Sequence, residues 1–304
     1  VSSKSGSTLE TESHFRQFFG EFELANMNPA DHMVVVTDPG SALEERARRS
    51  SIQVFHGDPH VGGRYSALTA FGLVPSALAG ADVATLLAEA ARAVESLTRD
   101  DADNPAVQLG AAMAAVSKHQ LGVLAIDEGD HPGLGDWIEQ LVAESLGKNG
   151  KGTLPVVLRA HDAIRPADAL CVQLSADDPA PGLLSMSIDA PLGAQFLLWE
   201  YATAIAGFLM DVNPFDQPDV ESSKAAARTV LERSSGPKEP SFEDGNIRGW
   251  GTNADNVYDA VQEILAGIPD GGYLSLCWFL DRWNLDGLES LARDVAQEIS
   301  RPVT

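Results

Sequence analysis

Positive charge is scarce in this chain. Its 304 residues include 21 lysines and arginines against 44 aspartates and glutamates, which gives a formal net charge of −23 at pH 7. A surface this acidic repels nucleic acid and anionic membranes through its long-range field. We therefore expect neither as a partner. The few lysines stand at positions 4, 118, 148, 151, 224 and 238.

Cysteines and long apolar runs are also rare. Cys171 and Cys277 are the two cysteines, and each lies in an apolar run without metal-ligand spacing, so we expect buried free thiols in a reducing cytoplasm. No run of 18 apolar residues predicts a membrane span, and no signal peptide is visible. The histidines form no ligand cluster, which argues against a metal site.

What the sequence does contain is an apolar content of 44%, enough for a core, in a length that allows two domains. Short apolar, often β-branched runs alternate with helical segments, and Ser41 with Glu44 forms a capping box. The predicted strands are 33–37, 52–55, 121–126, 154–158, 169–174, 183–188 and 273–279. The predicted helices are 15–24, 42–49, 66–79, 83–98, 105–118, 136–144 (capped by Asp136), 191–210, 216–231, 254–266 and 285–299. This alternation is typical of α/β proteins with mostly parallel sheets.

Two breaks in composition predict the domain boundaries. A charged, turn-forming stretch covers 100–105, and a linker rich in Ser, Gly and Pro covers 234–240. We expect an N-terminally incomplete α/β domain over 1–103, a second one over 104–232, and a linker with a small α/β segment over 233–304. Because the chain opens on Val1 at the end of a strand and stops where another strand would begin, we expect a fragment of a longer protein.

The first candidate site is the polar loop Ser3-Lys4-Ser5-Gly6-Ser7-Thr8. Five of its six side chains can donate hydrogen bonds, and the glycine lets the backbone turn its N–H groups inward. If a helix starts near Glu10, the loop lies at the positive end of that helix, which favours phosphate. An ordinary polar loop is the alternative.

The second candidate site is Gly62-Gly63-Arg64, followed by Tyr65 and Ser66. Paired glycines let a ligand approach the backbone closely, and a guanidinium can hold an anion or an oxyanion. The same pattern also occurs in ordinary turns.

The third candidate site lies on the helix that ends near Gly147. Gln140 and Glu144 are four residues apart and therefore share one face of this helix. The helix dipole disfavours a carboxylate at a C-terminus, so Glu144 should be a better proton acceptor near neutral pH. A surface glutamate without a role is the alternative.

The fourth candidate site is a junction between two helices. An apolar helix ends at the turn Asn213-Pro214, and a new helix opens at Asp216. Gln217 lies at the positive start of the new helix, and Lys224 lies two turns further along. An ordinary helix–turn–helix junction is the alternative.

Taken together and in this order, the four segments resemble the phosphoglucose isomerase (glucose-6-phosphate isomerase) family over about residues 1–230. Segments 62–66 and 215–224 resemble its two diagnostic segments, 3–8 its phosphate loop, and 144–148 the segment with its catalytic glutamate. The resemblance implies two sugar-isomerase (SIS) domains of parallel α/β type. It also implies an active site between those domains that a second subunit of a homodimer completes.

The resemblance also implies residue roles. Glu144 would move a proton between C1 and C2, Arg64 would steady the enediolate, and Lys224 would assist ring opening. Phosphate anchors and other substrate contacts correspond to Ser3, Lys4, Ser5 and Thr8, and to Gly63, Gln140 and Gln217. Aldose–ketose isomerisation needs a base over both carbons, a cation near the oxyanion and a remote phosphate anchor. It requires no metal or redox cofactor.

The chain departs from the family pattern at two places. Asp219 stands where the family usually has glycine, which adds a negative charge near an anion site. The family's ring-opening histidine comes from the neighbouring subunit, and His161 is the only histidine in the corresponding region, with surroundings that fit poorly. Segments 61–80 and 144–152 and the part after 240 resemble the isomerase half of actinobacterial transaldolase–phosphoglucose isomerase fusions, so a transaldolase domain would precede residue 1.

The sequence thus predicts a cytoplasmic enzyme of glycolysis and gluconeogenesis that interconverts glucose 6-phosphate and fructose 6-phosphate through a cis-enediol. One alternative is a non-catalytic SIS module that binds a sugar phosphate. Such a module has no use for a base, so the joint presence of Glu144, Arg64 and Lys224 favours the enzyme. A related isomerase for an amino sugar or mannose phosphate is the other alternative.

Overall fold

The described part of the chain contains both helices and strands. The computed structural model describes residues 1–119, 122–158, 169–232, 239–270, 272–277, 279 and 294–295. The helices in these residues are α1 (Leu9–Leu24), α2 (Ala42–Arg49), α3 (Ala70–Leu78), α4 (Val83–Leu97), α5 (Pro105–Val116), α6 (Leu134–Leu146), α7 (Leu192–Met210), α8 (Pro218–Glu232) and α9 (Val257–Gly267). The strands are β1 (Val34–Thr37), β2 (Gln53–His56), β3 (Val123–Asp127), β4 (Leu154–Leu158), β5 (Leu170–Gln173), β6 (Leu184–Ser187), β7 (Phe242–Asp244) and β8 (Ile247–Gly249).

The chain divides into two units, each assembled from separate stretches. The first unit contains Val1–Ala112, Asp136–Leu146 and Asp189–Asp216, and the second contains Met113–Gly135, Gly147–Ile188 and Gln217–Thr304. Each unit holds parallel strands and helices, so the predicted α/β class with parallel sheets is confirmed. The domain boundaries at 103/104 and 232/233 stay a prediction.

The sheet of the first unit contains β1 and β2, which are parallel and pair Val35 with Val54. The first residues of the chain extend this sheet, because the N–H of Val36 donates to the carbonyl of Val1 at 2.9 Å and the N–H of Ser3 donates to the carbonyl of Val36 at 3.0 Å. The apolar residues of β1 pack with those of α1 and α2, as their sequence pattern requires. The cluster consists of Phe15, Met33, Val35, Leu43, Ala47 and Ile52.

Helix α7 is a long, largely apolar helix of the first unit, and it packs against α4. Length and composition alone would let α7 cross a membrane, but half of that apolar window is buried in the fold, as in the core helix of a globular protein. The two helices approach closely at Gly193, whose N–H donates to the Glu89 carboxylate at 3.0 Å. A Cβ at Gly193 would lie 2.0 Å from the carbonyl oxygen of Leu86.

The second unit contains a four-stranded parallel sheet with the strand order β4-β3-β5-β6. The central strand β3 pairs Ala125 with Val156 on one side and with Cys171 on the other. Residues 123–126 are all buried, which explains why β3 is a continuous apolar run rather than an alternating one. Cys171 is a buried free thiol, as expected, whereas Cys277 is exposed and corrects that expectation.

The C-terminal part differs from the prediction. Residues 272–277 and 279 form no strand, so the strand predicted at 273–279 is wrong for this part of it. The helix predicted at 285–299 lies outside the described residues, except for 294–295. Strands β7 and β8 form an antiparallel hairpin that the prediction missed. Gly245, with φ of 60°, opens its two-residue turn before Asn246, and an Asp-Gly-Asn sequence is the signal that could have located it.

Two helix starts are also corrected. Helix α6 begins at Leu134, so Asp136 lies in its first turn instead of capping it. Helix α8 begins at Pro218 instead of Asp216, because proline fits the first position of a helix, where no backbone donor is needed. By contrast, Ser41 caps α2 as predicted, since its Oγ accepts from the N–H of Glu44 at 3.0 Å.

The contact between α4 and α7 predicts that Gly193→Ala destabilises the fold by about 1–3 kcal/mol, because the new methyl group meets a backbone carbonyl that cannot easily move. Gly20→Ala is the matched control in the middle of α1, where a Cβ meets nothing within 4 Å. That substitution should stabilise the protein by roughly 0.5–1 kcal/mol. Urea unfolding of both variants measures the difference, and an unchanged midpoint for Gly193→Ala would contradict the close packing.

Candidate active site

Arg64 is the buried centre of the candidate site in the first unit. It lies in a 3₁₀ turn, Gly63–Tyr65, and its side chain is only 1% exposed. Its Nε donates to Ser145 Oγ at 2.7 Å. Its Nη2 donates to the carbonyl oxygens of Pro214 at 2.6 Å and Asp216 at 2.8 Å. The guanidinium therefore joins three segments that are far apart in the sequence.

Glu144 lies beside this guanidinium, in the last turn of α6. Its Oε2 is 3.6 Å from Arg64 Nη1, and its side chain is 30% exposed. Gln140 Nε2 donates to Glu144 Oε1 at 3.1 Å, so the predicted pair on one helix face is observed. The result is a carboxylate open to solvent next to a buried cation. A base and a cation in this arrangement can take up a proton and stabilise the negative charge that develops.

Tyr65 and Trp137 belong to the same arrangement, although no role was predicted for either. The Tyr65 hydroxyl lies 3.2 Å from Ser145 Oγ and 3.4 Å from the carbonyl oxygen of Pro214. Trp137 Nε1 donates to the carbonyl of Arg64 at 3.2 Å. Their positions were a usable signal, because Tyr65 follows the arginine and Trp137 precedes Glu144 by two helical turns.

Glu200 is a half-buried carboxyl group on α7 of the first unit, and no role was predicted for it. It is the only charged residue of α7, and its Oε1 is buried without a hydrogen-bond partner in the described residues. Burial raises the pKa of Glu200 to about 8. A single acidic residue in an otherwise apolar helix was the signal that could have found it.

The predicted phosphate loop connects the sheet edge at Ser3 to the start of α1. Gly6 has a φ of 66° and lies against Leu43, where a Cβ would come within 2.9 Å of the leucine Cβ. Ser3 Oγ accepts from the N–H of Gly6 at 3.2 Å and lies 3.3 Å from Thr8 Oγ1. Thr8 stands at the N-cap of α1, yet its side chain makes no capping bond. The loop therefore lies at a helix N-terminus, as predicted, with a threonine hydroxyl not used by the helix.

Lys4 of this loop has its charge paired within the protein. Its Nζ lies 2.8 Å from Asp38 Oδ2 and donates to the carbonyl of Asp58 at 3.0 Å. Ser5, by contrast, is exposed and lies with its Oγ 2.8 Å from Ser7 Oγ. A ligand at this loop therefore meets hydroxyl groups that are accessible and an ammonium group that a carboxylate already neutralises.

The other predicted site residues are placed as follows. Gly63 opens the 3₁₀ turn with no atom within 4 Å of a Cβ, so its backbone can be approached. Gln217 directly precedes α8, and Lys224 lies within α8 in the second unit. His161 lies outside the described residues. Among the described residues, no group of three or more His, Cys, Asp or Glu side chains could hold a metal ion.

Sequence comparison finds relatives of this chain among the glucose-6-phosphate isomerases. No protein-family model matches the chain. A glucose-6-phosphate isomerase of Rubrobacter xylanophilus is 33% identical over 74% of this chain and 66% of its own length. A glucose-6-phosphate isomerase of Thermosynechococcus vestitus is 32% identical over 77% of this chain. This chain spans 55% of the length of that second relative.

Two solved structures are similar to this chain in fold. A hypothetical protein of Thermus thermophilus has a TM-score of 0.67 at 26% identity, over 76% of this chain and 71% of its own. A glucose-6-phosphate isomerase of Chlamydia trachomatis has a TM-score of 0.59 over 76% of this chain and 58% of its own, and at 19% identity it supports the fold alone. By sequence, this chain is a homologue of the glucose-6-phosphate isomerases, at 32–33% identity to two of them over about three quarters of its length.

Proposed function

We propose that this chain carries the catalytic centre of an aldose–ketose isomerase that interconverts glucose 6-phosphate and fructose 6-phosphate through a cis-enediol. The proposal rests chiefly on one observation, the Glu144 carboxylate 3.6 Å from the buried Arg64 guanidinium. The similarity to the glucose-6-phosphate isomerases of Rubrobacter and Thermosynechococcus supports the choice of substrate. A non-catalytic SIS module would need no such pair.

In the proposed reaction, Glu144 removes the proton from C2 of the open-chain aldose and returns it to C1. The electron pair released at C2 forms the enediolate, whose negative O1 is stabilised by Arg64. A proton then passes from O2 to O1, so that protonation of C1 leaves the C2 carbonyl of the ketose. Because Ser145 and two backbone carbonyls already fix the guanidinium, little reorganisation accompanies the charge shift. Gln140 orients the Glu144 carboxylate through its amide hydrogen bond.

The phosphate of the substrate would bind at the loop 3–8, distant from the reacting carbons. The Ser3, Ser5 and Thr8 hydroxyls would donate to it, together with N–H groups at the start of α1. Lys4 would contribute after exchanging part of its contact with Asp38. Binding energy from a remote anchor of this kind can be used to hold the reacting atoms in place.

The remaining assignments follow from the family resemblance alone. Lys224 and His161 would act in ring opening, and Gly63 and Gln217 would contact the substrate. Two SIS domains, a homodimer, a cytoplasmic location and fusion to a transaldolase also stay predictions.

The first kinetic prediction concerns the base. In the full-length protein, Glu144→Gln should lower kcat roughly 10²- to 10⁴-fold with little change in KM, because the amide cannot accept the C2 proton. A coupled assay of glucose 6-phosphate formation from fructose 6-phosphate measures both constants. Glu95→Gln, at an exposed position of α4, is the matched control and should keep wild-type turnover.

Near wild-type turnover by Glu144→Gln would remove this residue from the mechanism. A wild-type protein that binds fructose 6-phosphate without converting it would favour the non-catalytic SIS module. Conversion of a mannose or amino-sugar phosphate in its place would favour the related isomerase.

The second prediction concerns the cation. Arg64→Lys should lower kcat about 10²- to 10³-fold, because an ammonium group cannot bond Ser145 and the two carbonyls while facing the enediolate. Ser145→Ala keeps the guanidinium and removes only one acceptor, so its loss should be smaller, about tenfold. Equal kcat values for Arg64→Lys and the wild type would contradict the assigned role.

The third prediction concerns the phosphate anchor. Thr8→Val should raise KM for fructose 6-phosphate about tenfold with nearly unchanged kcat, because one hydrogen bond to a charged group is lost remote from the reacting carbons. The inhibition constant of inorganic phosphate should rise by a similar factor. Thr98→Val removes an exposed hydroxyl at the end of α4 and should change neither constant. An unchanged KM in Thr8→Val would place the phosphate elsewhere.

A further inference from the structure

Arg64 is bonded to one helix at both of its ends. Its carbonyl oxygen accepts from Trp137 Nε1 at 3.2 Å, in the first turn of α6. Its Nε donates to Ser145 Oγ at 2.7 Å, and its Nη1 lies 3.6 Å from Glu144 Oε2, both in the last turn of α6. The backbone and the guanidinium of Arg64 are therefore fixed to the same helix that carries the proposed base.

The indole of Trp137 and the carboxylate of Glu144 lie on one face of α6. The two residues are about two helical turns apart, which is roughly 10 Å along the helix axis. Arg64 spans this distance, with its carbonyl at one end and its guanidinium at the other. The place where the Arg64 carbonyl meets α6 thus decides where the guanidinium meets Glu144.

The turn that carries Arg64 depends on this side-chain donor. Within the described residues, its own backbone bonds end on the carbonyls of Gly62 and Gly63, which accept at 3.1 Å from the two N–H groups that follow Arg64. The Arg64 carbonyl comes next, at the end of a short 3₁₀ turn, where the helix supplies no donor of its own. Because paired glycines leave the backbone conformational freedom, an anchor on that carbonyl restricts the turn.

The indole of Trp137 is itself held in place. Phe196 of α7 packs against it edge-on, with ring centroids 4.8 Å apart and ring planes at 81°. Edge-to-face contacts of this kind favour one orientation of the two rings. Helix α7 also leads into the turn whose Pro214 carbonyl accepts from Arg64 Nη2 at 2.6 Å. Helices α6 and α7 therefore support both ends of Arg64.

We propose that Trp137 is a positioning residue for the isomerisation, which sets the distance between the Arg64 guanidinium and the Glu144 carboxylate. Its indole N–H holds the Arg64 carbonyl on α6, so that the cation faces the enediolate while the base carries the proton. This inference rests on the proposed function. Because Trp137 acts through Arg64 and not on the phosphate anchor, its loss should reduce turnover and leave substrate binding nearly unchanged.

The kinetic test makes the same substitution at two tryptophans of the full-length protein. Trp137→Phe keeps a ring against Phe196 and removes the N–H, so kcat should fall about tenfold, the usual effect of one neutral hydrogen bond, with KM within about twofold. Trp199→Phe is the matched control, because Trp199 is fully buried and its Nε1 has no hydrogen-bond partner within the described residues.

Trp199→Phe should lower the urea midpoint at least as much as Trp137→Phe, since a cavity in the core cannot be filled by solvent, and yet it should keep wild-type kcat. Wild-type kcat in Trp137→Phe would overturn the proposal. An equal loss of kcat in Trp199→Phe would overturn it as well, because general loosening of the first unit would then explain both results.

The isosteric variant Trp137→benzothienylalanine separates the hydrogen bond from the shape of the ring. This side chain has nearly the size of tryptophan and carries sulfur in place of the N–H group. Its kcat should be as low as that of Trp137→Phe. A kcat equal to that of the wild type would overturn the proposal, because packing against Phe196 would then be sufficient.

A double-mutant cycle with Ser145→Ala tests whether Trp137 acts on the guanidinium. Both side chains hold Arg64, so the second loss should cost less once the first has occurred, and the combined decrease in kcat should be about threefold smaller than the product of the single decreases. Trp199→Phe combined with Ser145→Ala should give the product. The full product for Trp137→Phe with Ser145→Ala would overturn the proposal.

Nitrogen-15 NMR of the Arg64 side chain tests the positioning without activity. Its Nε–H is bonded to Ser145 in a side chain that is 1% exposed, so it should exchange slowly with water, and Arg64→Lys identifies its signal. Trp137→Phe should speed this exchange about tenfold, whereas Trp199→Phe should not. Unchanged exchange in Trp137→Phe would overturn the proposal even in an active enzyme. A wild type without isomerase activity would instead overturn the proposed function, and the kinetic role with it.

Discussion

The buried guanidinium of Arg64 is the interaction on which the candidate site depends. A cation removed from water is strongly unfavourable unless acceptors surround it. Ser145 and the carbonyls of Pro214 and Asp216 supply such acceptors without a full negative charge. The cation is thereby held in place beside Glu144. The contacts that fold this region are thus the ones that would prepare it for an enediolate.

The acceptors exist because of how α7 ends. Asp211 takes the left-handed conformation with φ of 55°, which stops the helix and turns the chain back. The turn that follows packs Pro214 against Gly207, where a Cβ would lie 2.9 Å from the proline Cβ. A larger residue at Gly207 would displace Pro214, whose carbonyl accepts a 2.6 Å hydrogen bond from Arg64. The position of the Arg64 guanidinium therefore depends on the small size of Gly207.

Most helices and strands could be predicted from local patterns in the sequence, whereas contacts between distant segments could not. Strand β4 coincides with the predicted range 154–158, because a short apolar run bounded by turns is sufficient to define a buried strand. At 273–279 apolar composition misled the prediction, because the described residues of this segment contain a β-bridge only at Leu274. The site shows the same limit. Gln140 and Glu144 were placed on one helix face by their spacing, but the acceptors of Arg64 lie 81 and 150 residues away.

The predicted phosphate loop must attract an anion although the chain has a net charge of −23. Lys4 is paired with Asp38, so it offers a phosphate dianion little free positive charge. Glu12 in the first turn of α1 is ion-paired with Arg16 and Arg46, which keeps its charge from opposing an anion at the helix start. Attraction must therefore come mainly from hydroxyls and backbone N–H groups at the N-terminus of α1. Such donors act over short distances, so an anion that fits the loop is held while the acidic surface repels anions in general.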